Sequence, residues 1–148
     1  MNSRLMIDTT IFLYARGAAH PYRQPCRQVL VAARDGAITL DASVEIVQEY
    51  THVLLRRAIP RASALDEADE VARQCRLHPF DSIVLTRSLA LLRSHADLGV
   101  RDAVHAATAL TVGIDQIIST DRVFDTIDDL TRLDPTAPDA PWASSPDG

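Results

Sequence analysis

Four acidic side chains in this 148-residue sequence stand where carboxylates could share one reaction centre. Asp8 ends a short apolar run, and Asp121 follows a second such run further along the chain. Asp102 begins a predicted helix, and Glu49 lies on the polar side of a longer one. Binding sites of open parallel sheets gather beyond the carboxyl ends of the strands. We therefore expect Asp8 and Asp121 to face one crevice, which the helix that begins at Asp102 could join.

The type of these residues indicates the chemistry. Clustered carboxylates repel one another and stay ionised together only where cations neutralise them. A set of oxygen ligands without histidine or cysteine suits Mg²⁺, and Mn²⁺ could substitute for it. Such a metal orients a water molecule, lowers its pKa and stabilises the charge on a phosphate during in-line displacement. The pattern favours metal-dependent hydrolysis of a phosphodiester, with the four acids as catalytic residues and metal ligands.

Each acid also has a simpler structural explanation. Asp8 and Asp102 could cap helices, and Asp121 could be an acid of a surface turn. Glu49 could be a solvated residue of its helix, and Glu45, one turn away, could share or replace its role.

Three polar residues near the acids are candidates for contacts to the metal ligands: Ser119, Thr9 and Asp125. The hydroxyls of Ser119 and Thr9 could bond to carboxylates or to a metal-bound water, or only to backbone groups. Asp125 lies one turn after Asp121 if a helix continues there, and it could equally be a surface acid. His105 lies one turn from Asp102 on an alanine-rich helix, and we expect it to be structural, neither a base nor a ligand.

Apolar periodicity and turn residues define the elements that must position these side chains. Strands are predicted at residues 4–8, 37–40 and 116–119, with a further edge strand at 130–133. Helices are predicted at 25–35, 43–57, 62–76, 81–96 and 102–112, with a short helix or turn at 9–15. Ser43 and Asp81 are expected to cap two of them. Short apolar strands that alternate with helices indicate an α/β domain with a parallel sheet.

The composition changes near residue 134. Residues 135–148 contain four prolines among alanine, serine and aspartate, and such a segment has too little apolar surface to fold alone. We therefore divide the chain into a folded body, 1–134, and a proline-rich C-terminal tail, 135–148. Trp142 is the exception in the tail, because it could dock on the body.

Charge and composition exclude several classes of protein. The net charge of −5 argues against broad affinity for nucleic acids, although a nuclease site itself needs carboxylates. All 15 basic residues are arginines, so mechanisms that require a lysine, including the P-loop, are excluded. Cys26 and Cys75 have no metal-ligand spacing and are expected to be reduced thiols. The chain has no apolar run long enough to span a membrane and no signal-peptide pattern, so we expect a cytoplasmic protein.

Four short motifs resemble those of PIN-domain nucleases, and they occur in the order of that family. The first is Leu5-Met6-Ile7-Asp8-Thr9-Thr10, although the family more often has Asn where Thr10 stands. The second is similar over residues 43–49, where Glu49 occupies the position of an active-site acid. The third runs over residues 102–109 from Asp102, and the fourth over 118–125 around Asp121. Together they cover nearly the whole body, and the size and layout are similar to those of VapC toxins.

The resemblance carries specific implications. It implies a PIN-like three-layer α/β/α sandwich around a central, mainly parallel sheet of four to five strands, with residues 1–134 as the nuclease domain. It implies a Mg²⁺- or Mn²⁺-dependent endoribonuclease that acts as the toxin of a toxin–antitoxin pair. The expected partners are an RNA substrate, a VapB-like antitoxin and a second copy of the chain, in a homodimer or a heterotetramer or larger complex with the antitoxin.

Two rival functions remain to be weighed. Receiver domains and phosphatases with an aspartyl nucleophile use a lysine near the phosphate, and this chain has none. A PIN scaffold without catalysis would bind RNA or protein only, but an inactive site has no need for four clustered charges.

Overall fold

The computed structural model describes residues 3–143. Within this range the chain forms five strands and six α-helices. The strands are β1 (Ser3–Ile7), β2 (Ile38–Ser43), β3 (Arg76–His78), β4 (Gln116–Ile118) and β5 (Thr131–Leu133). The helices are α1 (Thr9–Arg16), α2 (Arg23–Arg34), α3 (Glu45–Arg56), α4 (Arg61–Gln74), α5 (Ser82–Ser94) and α6 (Val100–Thr111), and a 3-10 helix spans Arg122–Thr126.

All strand pairs of the sheet are parallel, in the order β3-β2-β1-β4-β5. β1 is the central strand, with β2 on one side and β4 on the other. The backbone N–H of Asp8 donates to the carbonyl of Ile118 at 3.1 Å, which extends the pairing of β1 and β4 by one residue. The carboxyl ends of the strands therefore meet at one edge, as the sequence predicted for an α/β domain.

The alternation of side chains along β1 divides the core between the two faces of the sheet. Leu5 and Ile7 join a buried cluster with residues of α1, α2, α3 and α4. Met6 points to the other face and joins a cluster with alanines of α6, with Ile117 and with Phe124. Helices thus cover both faces, which confirms the predicted three-layer α/β/α sandwich.

The sequence prediction missed one strand and misplaced the end of another. Residue 76 was expected to end a helix, yet it begins β3 at the edge of the sheet. β2 was expected at 37–40, yet it continues to Ser43. The extension carries a fully buried acid, Asp41, which the sequence gives no reason to place inside a sheet. Arg4 and His78 compensate this charge, with contacts to its carboxylate at 2.7 and 2.6 Å.

The two predicted caps have different outcomes. Asp81 caps α5, because its carboxylate accepts the backbone N–H of Val84 at 3.0 Å. Ser43 is the last residue of β2 rather than a residue next to the helix, and its hydroxyl accepts the backbone N–H of Glu45 at 3.2 Å.

Trp142 docks on the body. Its side chain is buried in the cluster that contains Leu5 and Ile7, and its indole N–H donates to the carbonyl of Pro135 at 2.9 Å. Residues 144–148 of the predicted tail lie outside the described range. Among the helices of residues 3–143, none is long and apolar enough to cross a membrane.

Candidate active site

Asp8 is the buried acid at the centre of the site. It follows β1 directly, and it is 4% exposed. Its side chain makes no capping bond to α1, which begins at the next residue. Instead, Asp8 Oδ2 accepts hydrogen bonds from the hydroxyls of Ser119 (2.7 Å) and Thr10 (3.2 Å). The capping role that the sequence left open is therefore not seen for Asp8, and its role in the site stays a prediction.

Ser119 connects two of the predicted acids. Its hydroxyl donates to Asp8 and accepts the backbone N–H of Asp121 at 3.0 Å. The loop after β4 is therefore fixed to the end of β1, and Asp121 is held at the same edge of the sheet. One carboxylate oxygen of Asp121 accepts the N–H of Val123 at 3.0 Å and begins the 3-10 helix, while the residue itself is exposed.

Glu49 reaches this edge from α3. Its carboxylate accepts the hydroxyl hydrogen of Thr9 at 2.9 Å. His105 and Arg101, both from α6, approach the same carboxylate at 3.5 and 3.7 Å. Glu45 has no comparable contact to the acids among the described residues and lines a neighbouring cavity. Of the two glutamates, Glu49 is thus the one that belongs to the cluster.

The electrostatics show that the acids influence one another. Burial, followed by the charges of Asp8 and Asp121, raises the pKa of Asp102 to about 6. The pKa of Asp8 is also raised, mainly by burial and further by the charge of Glu49, although His105 and Ser119 act in the opposite direction. The pKa of Glu49 is lowered, mainly by His105. The site is therefore rich in negative charge that the described side chains balance only in part.

His105 is a buried histidine beside the acids. Its side chain is 1% exposed, and neither ring nitrogen has a hydrogen-bond partner among the described residues. Such unpaired polar atoms are rare in protein interiors. The signal was available, because His105 lies one turn from Asp102 on a helix whose other buried residues are small or apolar. His105 lies 3.5 Å from Glu49, and the expectation that it is structural, neither a base nor a ligand, stays a prediction.

Asp125 is engaged elsewhere. Arg132 donates to both of its carboxylate oxygens, at 3.0 and 3.2 Å. The same guanidinium donates to the carbonyl of Ser119 at 3.0 Å. Within the described part of the chain, Asp125 is thus linked to the site through Arg132.

The four acids are of a residue type that binds divalent cations, but their carboxylates do not surround a single position in this structure. All four acids offer oxygen ligands, as Mg²⁺ and Mn²⁺ prefer. Between residues 3 and 143, however, no three acidic, histidine or cysteine side chains are close enough to surround one ion. Asp121 is exposed, whereas Glu49 is held by Thr9 and Asp8 by its two hydroxyl partners.

Comparisons with known proteins agree with this geometry. A family model described as PIN domain matches residues 5–130. Ribonuclease VapC7 of Mycobacterium tuberculosis is 34% identical over 134 residues, which cover 90% of this chain and 92% of the relative. Ribonuclease VapC23 of the same species is 32% identical over 123 residues, 81% and 94% of the two chains. A structure of VapBC-1 from nontypeable Haemophilus influenzae superimposes with a TM-score of 0.68 at 17% identity and covers 90% of this chain and 99% of that one.

Proposed function

Since this chain belongs to the PIN-domain family and, within it, to the VapC ribonucleases, we propose that it is a metal-dependent endoribonuclease. The observation that carries the proposal is that buried Asp8 lies among the other acids, where burial, together with the charges of Asp8 and Asp121, raises the pKa of Asp102 to about 6. A cluster of this kind is costly unless a cation neutralises it. We also propose that the enzyme acts on RNA in the cytoplasm.

Asp8, Glu49, Asp102 and Asp121 would hold the cation, which is Mg²⁺, with Mn²⁺ as a substitute. When bound, it would supply a water of lowered pKa and would stabilise the charge of the phosphate. The chain's own residues orient the ligands: Ser119 and Thr10 fix Asp8, and Thr9 fixes Glu49. Asp125 acts through Arg132, by keeping the carbonyl of Ser119 in place.

Cleavage of RNA by wild-type protein and by Asp8→Asn tests this proposal. We expect Asp8→Asn to keep the fold and to lose cleavage in Mg²⁺, because the replacement keeps the shape and removes the charge. Asp69→Asn, on the exposed side of α4, is the matched control and should cut at the wild-type rate. Full activity of Asp8→Asn would refute the assignment. A wild-type protein that binds RNA but cuts none in Mg²⁺ or Mn²⁺ would favour the scaffold without catalysis.

We also propose a VapB-like antitoxin as the partner, in a complex built on a homodimer of this chain. The body has a cavity of about 680 Å³ among α1, α2 and α4, lined by apolar residues such as Phe12 and Val31 and by Arg16. An amphipathic segment would fit such a groove. Val31→Asp should weaken antitoxin binding and leave RNA cleavage unchanged, and equal binding would exclude this groove.

A further inference from the structure

A second cavity opens on the other side of Glu49, between α3 and α6. Its volume is about 330 Å³, and we call it the α3–α6 pocket. Glu49 and His105 belong to its lining, together with Glu45, Gln48, Phe80 and Arg101. Because Glu49 also belongs to the carboxylate cluster, the pocket adjoins the candidate active site at this residue.

A buried histidine lines the pocket. His105 is 1% exposed, its Nε2 lies 3.5 Å from the Glu49 carboxylate, and neither ring nitrogen makes a full hydrogen bond among residues 3–143. A buried polar group without a partner is costly. A ligand with donors and acceptors of its own could supply the missing bonds.

The rim of the pocket presents an aromatic ring to the solvent. Phe80, on the segment between β3 and α5, is 39% exposed. Arg101, at the start of α6, has a side chain that is 66% exposed. A ring face and a guanidinium beside a catalytic carboxylate are the groups that stack on bases and contact phosphates in complexes with single-stranded RNA.

The charge of the side chains that line the pocket determines whether the base or the phosphate of a nucleotide could enter it. Glu45 and Glu49 bring two carboxylates to the lining, and these repel a phosphate. The same carboxylates accept hydrogen bonds from the amino groups of a base, and the amide of Gln48 can both donate and accept. The phosphates would remain outside, within reach of Arg101.

We propose that the α3–α6 pocket binds one unstacked base of single-stranded RNA, next to the phosphate that is cut. Phe80 stacks on the base, and Gln48, Glu45 and His105 contact its polar edge. This inference rests on the proposed ribonuclease function, and it assigns the pocket a part in the choice of the cleavage site.

Binding of short single-stranded RNAs to the Asp8→Asn protein tests the pocket without cleavage. The probes are fluorescently labelled homopolymers of A, C and U and an abasic oligonucleotide of the same length, followed by anisotropy. We expect at least one homopolymer to bind more tightly than the abasic probe, by about fivefold or more, as for loss of one stacked base. Adding Phe80→Ala should reduce its affinity to the abasic level, and Phe80→Tyr should retain it.

Leu65→Ala is the matched control, since Leu65 is a similarly exposed apolar residue on α4. It should leave every affinity unchanged. Equal affinity for homopolymers and abasic probe, or affinities unaffected by Phe80→Ala, would overturn the proposal. So would a change in particle mass by light scattering in Phe80→Ala with unchanged RNA affinity, because the pocket would then be an interface between copies. Cleavage by the wild-type protein is measured in parallel, so that failure of the pocket and failure of the ribonuclease function are distinguished.

Discussion

At the scale of single residues, hydroxyl groups determine how the acids are held. Ser119 bonds to Asp8 and to the backbone of Asp121, and Thr9 bonds to Glu49. Both hydroxyls were predicted to be near the acids, because they are neighbours of the motif carboxylates in the sequence. The contact of Thr10 with Asp8 was not foreseen. Thr10 stands at the position where the family more often has asparagine, and its hydroxyl reaches Asp8.

The raised pKa of Asp102 predicts how the metal-free protein responds to pH. Its folded pKa, about 6, exceeds the ordinary value of 3.8, so the folded state binds the proton more tightly than the unfolded state. Between about pH 4 and 6 the folded state therefore holds more protons, and stability must fall as the pH rises. The loss is on the order of 1 kcal/mol after allowance for solvent screening of this half-buried group.

Urea denaturation in the presence of a chelator measures this effect. Asp102→Asn should flatten the decline in stability between pH 4 and 6, whereas Asp69→Asn should leave it as in the wild type. A decline that is identical in Asp102→Asn would mean that Asp102 does not sense the other acids.

At the scale of elements, the sequence predicted the parts of the sheet that consist of apolar runs. β1 and β4 are such runs, and both were located to within one residue at each end. β3 escaped detection because it has only three residues, Arg76–His78, at the edge of the sheet and two of them are polar. The end of β2 escaped because Asp41 is compatible with a buried strand only when Arg4 and His78 are beside it. Such tertiary contacts between distant segments leave no periodic signal.

In the candidate site, too, some features could be predicted from the sequence and others depend on tertiary contacts. The motif order allowed Asp8, Glu49, Asp102 and Asp121 to be proposed from sequence. The approach of His105 to Glu49 depends on how α6 and α3 meet at the edge of the sheet, and it could not be deduced from one helix alone.

We expect Asp41 to stabilise the edge of the sheet at β3, where its carboxylate contacts His78 and Arg4. Burial alone would raise its pKa, but the hydrogen bonds and charges of Arg4 and His78 outweigh burial and lower it. Its carboxylate therefore stabilises the fold above its ordinary pKa of 3.8, and this contribution is lost as the pH falls through the lower folded value. Asp41→Asn should destabilise the protein at pH 7 by about 1–3 kcal/mol and should make stability less sensitive to acid below about pH 4.

Denaturant midpoints of Asp41→Asn and Asp69→Asn across this pH range provide the measurement. A midpoint of Asp41→Asn equal to that of the wild type at pH 7 would show that the buried contacts with Arg4 and His78 contribute nothing.

At the scale of the whole molecule, the fold brings distant segments of the chain to one edge. Asp8 follows the central strand, Asp121 follows its neighbour, and α3 and α6 supply Glu49 and Asp102 from opposite faces of the sheet. The two apolar clusters that hold these helices are built on alternate residues of β1. The charge at this edge is thus maintained by the packing of both layers, and a cation that binds only the folded protein would stabilise it as a whole.

Titration calorimetry with Mn²⁺ at pH 7 measures whether the four carboxylates together bind one or two divalent cations. We expect binding to the wild-type protein and to Asp69→Asn, and loss of that binding in Asp8→Asn and in Asp121→Asn, measured separately with each variant still folded. Equal affinity of the wild type, Asp8→Asn and Asp121→Asn for Mn²⁺ would contradict it.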